Sequence, residues 1–209
     1  MAPVVTAAAL RALAVTASNR AAAGVYEDRG GPLIVAALEE LGFAVDGPRV
    51  VEDGEPLGQV LRDAVAEGYD LVVTTGGTGI SPTDRTPEVT RAVLDYEVPG
   101  IAEAIRAAGR EKVPTAALSR GVAGVGGRTL VVNLPGSTGG VKDGLAVLAS
   151  LVVHAVDQIR GGDHPNSRPY DHAGEPDAGQ AGDRSPGASP DRSHDRKNDH
   201  QSSVPGRPS

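Results

Sequence analysis

The stretch LVVTTGGTGISPTDRTPE, residues 71–88, contains the strand, the loop and the helix start around which the rest of the chain is arranged. It begins with an apolar, β-branched run, which predicts a buried strand. Three glycines within residues 76–79 then permit positive backbone φ angles and let backbone N–H groups approach a ligand closely. Thr86, Pro87 and Glu88 supply an N-cap, a proline at the first helical position and an acid in the first turn. The order strand, glycine loop, helix start therefore predicts a site for an anion such as a phosphate.

Asp84 lies directly after these glycines, in the loop that leads to the helix. An aspartate beside a phosphate repels it unless a cation lies between them, so Asp84 indicates either Mg²⁺ binding or proton handling. A purely structural interpretation stays open, in which residues 76–79 form only a tight turn and Asp84 only caps it.

The composition divides the chain into two regions. Residues 163–209 hold four of the five histidines and seven of the sixteen prolines, and Val204 is their only branched aliphatic residue. Such a segment cannot bury enough apolar surface to offset the entropy lost on ordering. We therefore predict one folded domain over residues 1–162 and a disordered polar tail over residues 163–209.

Charge and residue usage exclude several classes of function. The chain carries a net charge of −7 and has one phenylalanine and no tryptophan, which makes it a weak candidate for nucleic-acid binding through phosphate contacts and base stacking. The absence of cysteine excludes disulfides and thiolate metal sites. The N-terminus lacks a signal-peptide layout, and no apolar run of about 20 residues occurs. We expect a soluble cytoplasmic protein that binds small molecules rather than nucleic acid or a membrane.

Strand and helix patterns alternate along the predicted domain. The predicted strands cover residues 11–16, 43–51, 71–74 and 128–134, and the predicted helices cover residues 33–41, 57–65, 99–110 and 141–159, with a short helix after Pro87. Gly47 and Pro48 interrupt the second strand, which indicates an edge strand or a turn. Residues 113–127 show no clear pattern. The alternation predicts an α/β fold, a three-layer αβα arrangement with a mostly parallel central sheet.

Two glycine loops, residues 76–84 and 135–140, follow predicted strands, as do the polar loop of residues 18–28 and Asp53. Ligands of open parallel sheets bind outside the carboxyl ends of the strands, so these four features should flank one cleft. Two carboxylates, Asp53 and Asp84, beside a phosphate cradle suit Mg²⁺. For Asp53 a helix N-cap ahead of residues 55–67 stays open as the alternative.

Other motifs are absent or weaker. No Gly-Lys-Ser/Thr follows residues 76–79, which disfavours a P-loop NTPase, and the dinucleotide-binding GxGxxG pattern is missing after the first strand. Arg120 and Lys142 could contact phosphates, although such residues are more often solvated charges. His154 is interpreted as an interface or core histidine, and the tail histidines lack metal-ligand spacing.

Four motifs together resemble the MogA/MoaB family of molybdenum cofactor biosynthesis. They are TTGGTGISPTDRTPE at residues 74–88, ALSR at residues 117–120, NLPGS at residues 133–137, and the pair Glu52 and Asp53. The resemblance covers residues 11–162 in matching order. It implies a three-layer α/β domain, usually a homotrimer, that binds the pterin dithiolene molybdopterin. Active members of the family adenylylate molybdopterin with Mg-ATP and release pyrophosphate.

Carried over to this sequence, the resemblance implies that Asp53 and Asp84 are the catalytic and Mg²⁺-binding residues. The substrate-binding residues that it implies are Ser18, Asn19, Arg20, Asp28, Gly76, Gly77, Thr78, Gly79, Ser119, Pro135, Gly136 and Ser137. The sequence departs from many members at Asn19, where they have Asp, and at residues 138–139, where they have a proline.

The function that follows is a molybdopterin adenylyltransferase that uses ATP and Mg²⁺, with a molybdate-inserting enzyme of the same pathway as a further partner. Two alternatives stay open at this level. One is a pterin-binding or scaffolding protein without catalysis, against which the two retained aspartates count. The other is a nucleotide-processing enzyme of the competence-damage type, against which the lack of a second predicted folded domain counts.

Overall fold

The computed structural model describes residues 9–162, which contain a six-stranded sheet. The strands are β1 (Arg11–Ala17), β2 (Ala44–Val51), β3 (Leu71–Thr75), β4 (Tyr96–Glu97), β5 (Ala123–Gly126) and β6 (Thr129–Leu134). They lie in the order β2-β1-β3-β6-β5-β4. β2, β1, β3 and β6 are mutually parallel, whereas β5 runs antiparallel to both β6 and β4. The predicted α/β fold with a mostly parallel central sheet is confirmed.

Helices cover both faces of this sheet. They are α1 (Asn19–Ala22), α2 (Gly31–Glu40), α3 (Glu55–Ala66), α4 (Thr86–Arg91), α5 (Pro99–Arg110), α6 (Thr138–Ala149) and α7 (Val152–Ile159), with a 3₁₀ helix at Pro114–Leu118. Alternate residues of β1 belong to two separate apolar clusters. Ala12 and Ala14 pack with α2, α5, α6 and α7, whereas Leu13 and Val15 pack with α3. Because the side chains of a strand alternate between faces, one uninterrupted apolar run supplies both cores.

The second strand lies at an edge of the sheet, which is one of the two alternatives, an edge strand or a turn, that the proline and glycine within it indicated. Its pairing with β1 shifts register between Leu13 and Val15, opposite Gly47 and Pro48. Gly47 has φ +110°, and a Cβ there would lie 2.5 Å from the carbonyl oxygen of Ala14. This irregularity is tolerated because no strand within residues 9–162 pairs with the outer side of β2.

The region without a clear sequence pattern, residues 113–127, contains the strand β5. Its sequence is Ala-Gly-Val-Gly, and glycine has a low preference for strands. The glycines are required by close backbone packing, since a Cβ at Gly124 would lie 2.5 Å from the carbonyl oxygen of Tyr96 and one at Gly126 would lie 2.4 Å from that of Val93. Close packing between distant segments therefore requires glycines in β5, and because glycine is atypical of strands the sequence did not predict one there.

The single long C-terminal helix predicted over residues 141–159 is wrong. The chain forms α6 and α7 instead, which are bent by 58° relative to each other at residues 150–151. Ser150 ends α6, and its hydroxyl donates a 2.7 Å hydrogen bond to the carbonyl oxygen of Val147. The bend keeps Val152 and Val156 in the same apolar cluster as α6.

Among the described residues no single helix has both the length and the apolar character of a membrane span; only α6 and α7 taken together, despite their bend, have both. The predicted tail, residues 163–209, lies outside the described residues.

An ion pair between the buried Asp70 and the exposed Arg160 fixes the end of α7 to the amino ends of the central strands. Asp70, which is 7% exposed, accepts hydrogen bonds from Nε (2.6 Å) and Nη2 (2.7 Å) of Arg160 and from the backbone N–H of Arg11 (2.7 Å). Arg160→Met would leave the Asp70 carboxylate with a single partner in a desolvated position. We expect the free energy of unfolding in urea to fall by roughly 1–3 kcal/mol.

The matched control is Arg110→Met, which removes an exposed arginine from the end of α5. Its expected effect is within about 0.5 kcal/mol, as for other surface substitutions. If the two variants unfolded at the same urea concentration, this result would contradict the structural importance of the Asp70–Arg160 pair.

Candidate functional site

The two glycine loops leave the sheet side by side. β3 and β6 are adjacent and parallel, with Thr75 paired to Leu134, so the segments that follow them begin at the same edge. The hydroxyl of Thr75 donates a 2.7 Å hydrogen bond to the carbonyl oxygen of Pro135. A Cβ at Gly136 would lie 3.2 Å from the Cα of Gly76. The prediction that both glycine loops lie at the same edge of the sheet is confirmed, but the four predicted features line two cavities rather than one cleft.

The first loop requires glycine at specific positions. Gly76 and Gly77 have φ angles of +94° and +60°, which residues with a side chain rarely adopt. A Cβ at Gly77 would lie 2.0 Å from Oδ2 of Asp53, and a Cβ at Gly79 would lie 2.7 Å from Oδ2 of Asp84. The backbone of the loop therefore packs directly against the two predicted catalytic carboxylates.

Asp53 connects the end of β2 to the start of α4. Its Oδ1 accepts hydrogen bonds from the N–H of Gly54 (2.7 Å) and the hydroxyl of Thr86 (3.1 Å), and its Oδ2 accepts one from the N–H of Arg85 (3.0 Å). Gly54 is the N-cap of α3, so the alternative in which Asp53 caps that helix is wrong. The prediction that Thr86 caps α4 is also wrong: Arg85 is the N-cap, because the Thr86 hydroxyl is directed to Asp53.

Asp84 is held in a small closed loop. Its Oδ2 accepts a 3.0 Å hydrogen bond from the N–H of Ser81, and its own N–H donates to the carbonyl oxygen of Ser81 at 3.0 Å. Within residues 9–162 no hydrogen bond reaches Oδ1 of Asp84. The carboxylate is half-buried, and this oxygen is available to a ligand.

Arg120 holds the Asp84 loop from the opposite side. Its Nε donates to the carbonyl oxygen of Gly79 (2.6 Å), its Nη2 donates to that of Asp84 (2.7 Å), and its Nη1 forms an ion pair with Glu88. Burial raises the pKa of the Glu88 carboxyl, but hydrogen bonds from Arg120 and the backbone lower it, so this pKa lies below its ordinary value. The interpretation of Arg120 as a mainly solvated charge was wrong; its place in the ALSR motif was the available signal.

A buried asparagine positions α4 against the sheet. Nδ2 of Asn133 donates to the hydroxyls of Thr74 (3.0 Å) and Thr90 (3.1 Å), and its Oδ1 accepts from the N–H of Val122 (3.2 Å). Both polar atoms of the buried side-chain amide therefore have hydrogen-bond partners, as buried polar groups require. Asn133 lies in the NLPGS motif, but the sequence alone indicated no role for its side chain.

The polar loop after β1 is braced by its own side chains. Asp28 accepts hydrogen bonds from the N–H groups of Gly30 and Gly31 with one oxygen and from the Thr16 hydroxyl with the other. Ser18 caps α1 through the N–H of Ala21. Oδ1 of Asn19 accepts a 3.0 Å hydrogen bond from the backbone N–H of Asp53. The guanidinium carbon of Arg20 lies 5.7 Å from the ring centre of Tyr26.

The second glycine loop is shorter than predicted. Ser137 is the N-cap of α6, and its hydroxyl accepts a 3.1 Å hydrogen bond from the N–H of Gly140. Gly139 and Gly140 are therefore helical rather than part of a loop. The amino terminus of this 12-residue helix faces a cavity lined by Ser137 and Gly139, where its partial positive charge favours an anion.

Two adjoining cavities contain every predicted site residue. The smaller, of about 260 Å³, is lined by Ser18, Asn19, Arg20, Asp28, Asp53, Gly76, Gly77, Asp84 and Gly136. The larger, of about 640 Å³, is lined by Gly77, Thr78, Gly79, Asp84, Ser119, Pro135, Gly136 and Ser137. Gly77, Asp84 and Gly136 line both, so they form the junction between the two cavities.

The donor set suits a hard cation that is shared with a phosphate. Mg²⁺ in phosphoryl-transfer sites is held by one or two carboxylates together with substrate phosphates and water. Asp53 and Asp84 supply two carboxylates at the smaller cavity, and residues 9–162 contain no group of three or more acidic or histidine side chains that could form a complete metal cage. The chemistry of the site therefore fits Mg²⁺ that arrives with a phosphorylated substrate.

The fold and the site define an α/β domain in which two glycine loops meet at the carboxyl edge of a parallel sheet, an arrangement that is suited to anionic ligands. The family model described as a probable molybdopterin binding domain matches residues 13–155, and the chain belongs to this family.

Relatives and solved structures agree with this assignment. The Mog protein of molybdopterin biosynthesis from Mycobacterium ulcerans is 57% identical, with a TM-score of 0.71 over 74% of this chain and 99% of that one. The molybdopterin adenylyltransferase of Haemophilus influenzae is 43% identical over 138 residues, which are 63% of this chain and 68% of that protein. A bifunctional molybdenum cofactor biosynthesis protein of Synechococcus elongatus is 39% identical over 165 residues; this chain matches 78% of its own length and spans about half (52%) of that protein.

Proposed function

We propose that this protein is a molybdopterin adenylyltransferase that transfers AMP from Mg-ATP to molybdopterin and releases pyrophosphate. The observation that supports this most directly is the junction of the two cavities at Gly77, Asp84 and Gly136. A reaction between two bound substrates needs their reacting atoms in contact, and two cavities that share one wall provide that arrangement. The adenylyltransferase relatives support the same assignment.

The two cavities suit two different substrates. The smaller is lined by glycine amides, Arg20 and hydroxyl groups, which are suited to a ribose and a triphosphate. The larger has an apolar rim, because Ile80, Val113 and Leu118 line it and are 67%, 53% and 51% exposed. Such a surface favours a fused aromatic ring system. We assign the nucleotide to the smaller cavity and the pterin to the larger one.

In this reaction an oxygen of the pterin phosphate attacks the α-phosphorus of ATP. A phosphorus–oxygen bond forms there while the bond to the pyrophosphate breaks, and the electron pair leaves with pyrophosphate. Asp84 would bind Mg²⁺ through its available Oδ1, and Asp53 would complete the carboxylate pair; the bound ion would neutralise charge on the phosphates. The glycine-loop amides and the α6 amino terminus orient the phosphate oxygens.

We also propose that the protein acts as a cytoplasmic homotrimer and passes its product to a molybdate-inserting enzyme. The family resemblance supports the trimer, and the exposed apolar side chains of Val153 on α7 and Tyr96 on β4 offer surface that a partner copy could cover. Size-exclusion chromatography with light scattering tests this, and a monomer at micromolar concentration would contradict it.

The test of the proposed function is pyrophosphate release by the purified full chain with molybdopterin, ATP and Mg²⁺. We expect one pyrophosphate for each adenylylated pterin formed, and no release when molybdopterin is omitted or when Mg²⁺ is chelated. Protein that binds molybdopterin but releases no pyrophosphate would contradict the proposal and favour a pterin-binding or scaffolding role instead.

A further inference from the structure

Arg106 on α5 is a half-buried cation that is not neutralised by the described part of the chain. Its Nη1 donates a 2.9 Å hydrogen bond to the carbonyl oxygen of Gly121, and none of the ion pairs among residues 9–162 includes it. Two neighbouring cations differ, since Lys112 pairs with Asp143 and Arg120 pairs with Glu88, whereas Lys142 is in none of these ion pairs but is exposed. A partly desolvated charge without a counter-charge is costly, so it indicates a ligand that supplies one.

The guanidinium is both fixed and accessible. The hydrogen bond to Gly121 leaves several of its five N–H groups for other acceptors. No side-chain nitrogen or oxygen in residues 9–162 is both buried and unpartnered, so these N–H groups are open to the space that Arg106 lines. Arg106 lines two spaces. One is the larger cavity, whose walls also include Ser119 and Lys142, and the other is a separate cavity of about 350 Å³ that Glu97 and Arg120 also line.

We infer that Arg106 binds an anionic group of the molybdopterin substrate within the larger cavity and so selects a charged pterin over a neutral one. This inference rests on the proposed function for the identity of the ligand. A planar guanidinium held at one end presents a fork of donors that matches a phosphate, and it pairs equally with dithiolene thiolates. Both are anions of the same ligand, and binding measurements distinguish them.

The experiment measures binding in the absence of ATP for the wild-type chain, Arg106→Gln and Arg106→Lys. Three ligands are compared: molybdopterin, its dithiolene-free oxidised phosphate, and the dephosphorylated form of that oxidised pterin, which carries neither anionic group. The control is Arg110→Gln, one turn along α5, where the arginine is exposed and lines neither cavity.

We expect Arg106→Gln to weaken molybdopterin binding about 10- to 100-fold, as for loss of a charge-assisted hydrogen bond, with partial rescue by Arg106→Lys. A loss on both phosphorylated ligands but not on the neutral pterin assigns the phosphate. A loss on molybdopterin alone assigns the dithiolene. Arg110→Gln should change none of the three affinities.

An equal loss on all three ligands would mean that Arg106 acts only by supporting Gly121, and no loss on any would mean that it does not contact the ligand; either result overturns the inference. Wild-type protein that shows the expected selectivity but releases no pyrophosphate with ATP would overturn the proposed function alone. Wild-type protein that does not bind molybdopterin would overturn both.

Discussion

Asp84→Asn is expected to reduce AMP transfer at least about 100-fold, the usual cost of removing one electrostatic contact to a reacting phosphate or its metal. The substitution should leave the fold intact. The asparagine carbonyl oxygen can still accept the hydrogen bond from the N–H of Ser81, because Oδ2 accepts that one bond and Oδ1 accepts none within residues 9–162. The variant therefore removes charge at the junction of the cavities with little structural change.

Asp53→Asn provides the comparison that separates charge from structure. Both oxygens of Asp53 accept hydrogen bonds, from the N–H groups of Gly54 and Arg85 and the hydroxyl of Thr86. An asparagine amide would direct N–H groups at one of these donors whichever way it is oriented. We expect a steep loss of activity together with a loss of roughly 1–3 kcal/mol in the free energy of unfolding.

The measurements are initial rates of pyrophosphate release and urea unfolding of each variant. The control is Asp63→Asn on α3, an exposed carboxylate outside both cavities. An Asp84→Asn variant that retained more than about a tenth of wild-type activity would restrict Asp84 to the structural role of capping its loop, against the expectation for a group that contacts metal or phosphate.

The positions of the site residues followed from the sequence because strand order and strand direction determine them. Apolar runs in β3 and β6 predicted buried parallel strands, and parallel strands end at the same edge of a sheet. Asp53 and the glycine loops therefore lie at the same edge of the sheet, because the strands that precede them are parallel. Gly47 and Pro48 indicated either an edge strand or a turn for β2, and the strand order shows that it is an edge strand.

The sequence did not predict that Arg120 supports the site, because two of its three partners are backbone carbonyl groups. It donates to the carbonyl oxygens of Gly79 and Asp84, and a backbone carbonyl is present at every position of a chain. Thr86 was misassigned for a related reason. Its local sequence matches an N-cap, but a carboxylate from 33 positions earlier competes for its hydroxyl. Long-range hydrogen bonds of this kind appear only when the segments are brought together.

Gly76→Ala is expected to be the most damaging small substitution in the domain. The residue has φ +94°, and an added Cβ would lie 2.1 Å from the carbonyl oxygen of Ala17, at the end of β1. Neither backbone can move freely, because β1 is paired on both sides and the Cα of Gly76 already lies close to Gly136. We expect the free energy of unfolding to fall by more than about 3 kcal/mol, beyond the roughly 1–3 kcal/mol of an unfavourable φ alone.

Substitutions at two other glycines separate the effect of backbone strain on stability from the effect of the steric clash. Gly68 has φ +72° with open space around its Cα, so Gly68→Ala tests backbone strain without a clash, whereas Gly100 on α5 has neither a positive φ nor a close neighbour. We expect Gly100→Ala to be neutral or stabilising by up to about 1 kcal/mol and Gly68→Ala to be intermediate. Urea unfolding and pyrophosphate release are measured for all three variants.

Two outcomes are distinguished. If Gly76→Ala unfolds no more easily than Gly68→Ala, the contact between the glycine loop and β1 does not maintain the shape of the cleft. If Gly76→Ala unfolds more easily and also loses activity, the same backbone contact determines both the fold and the site.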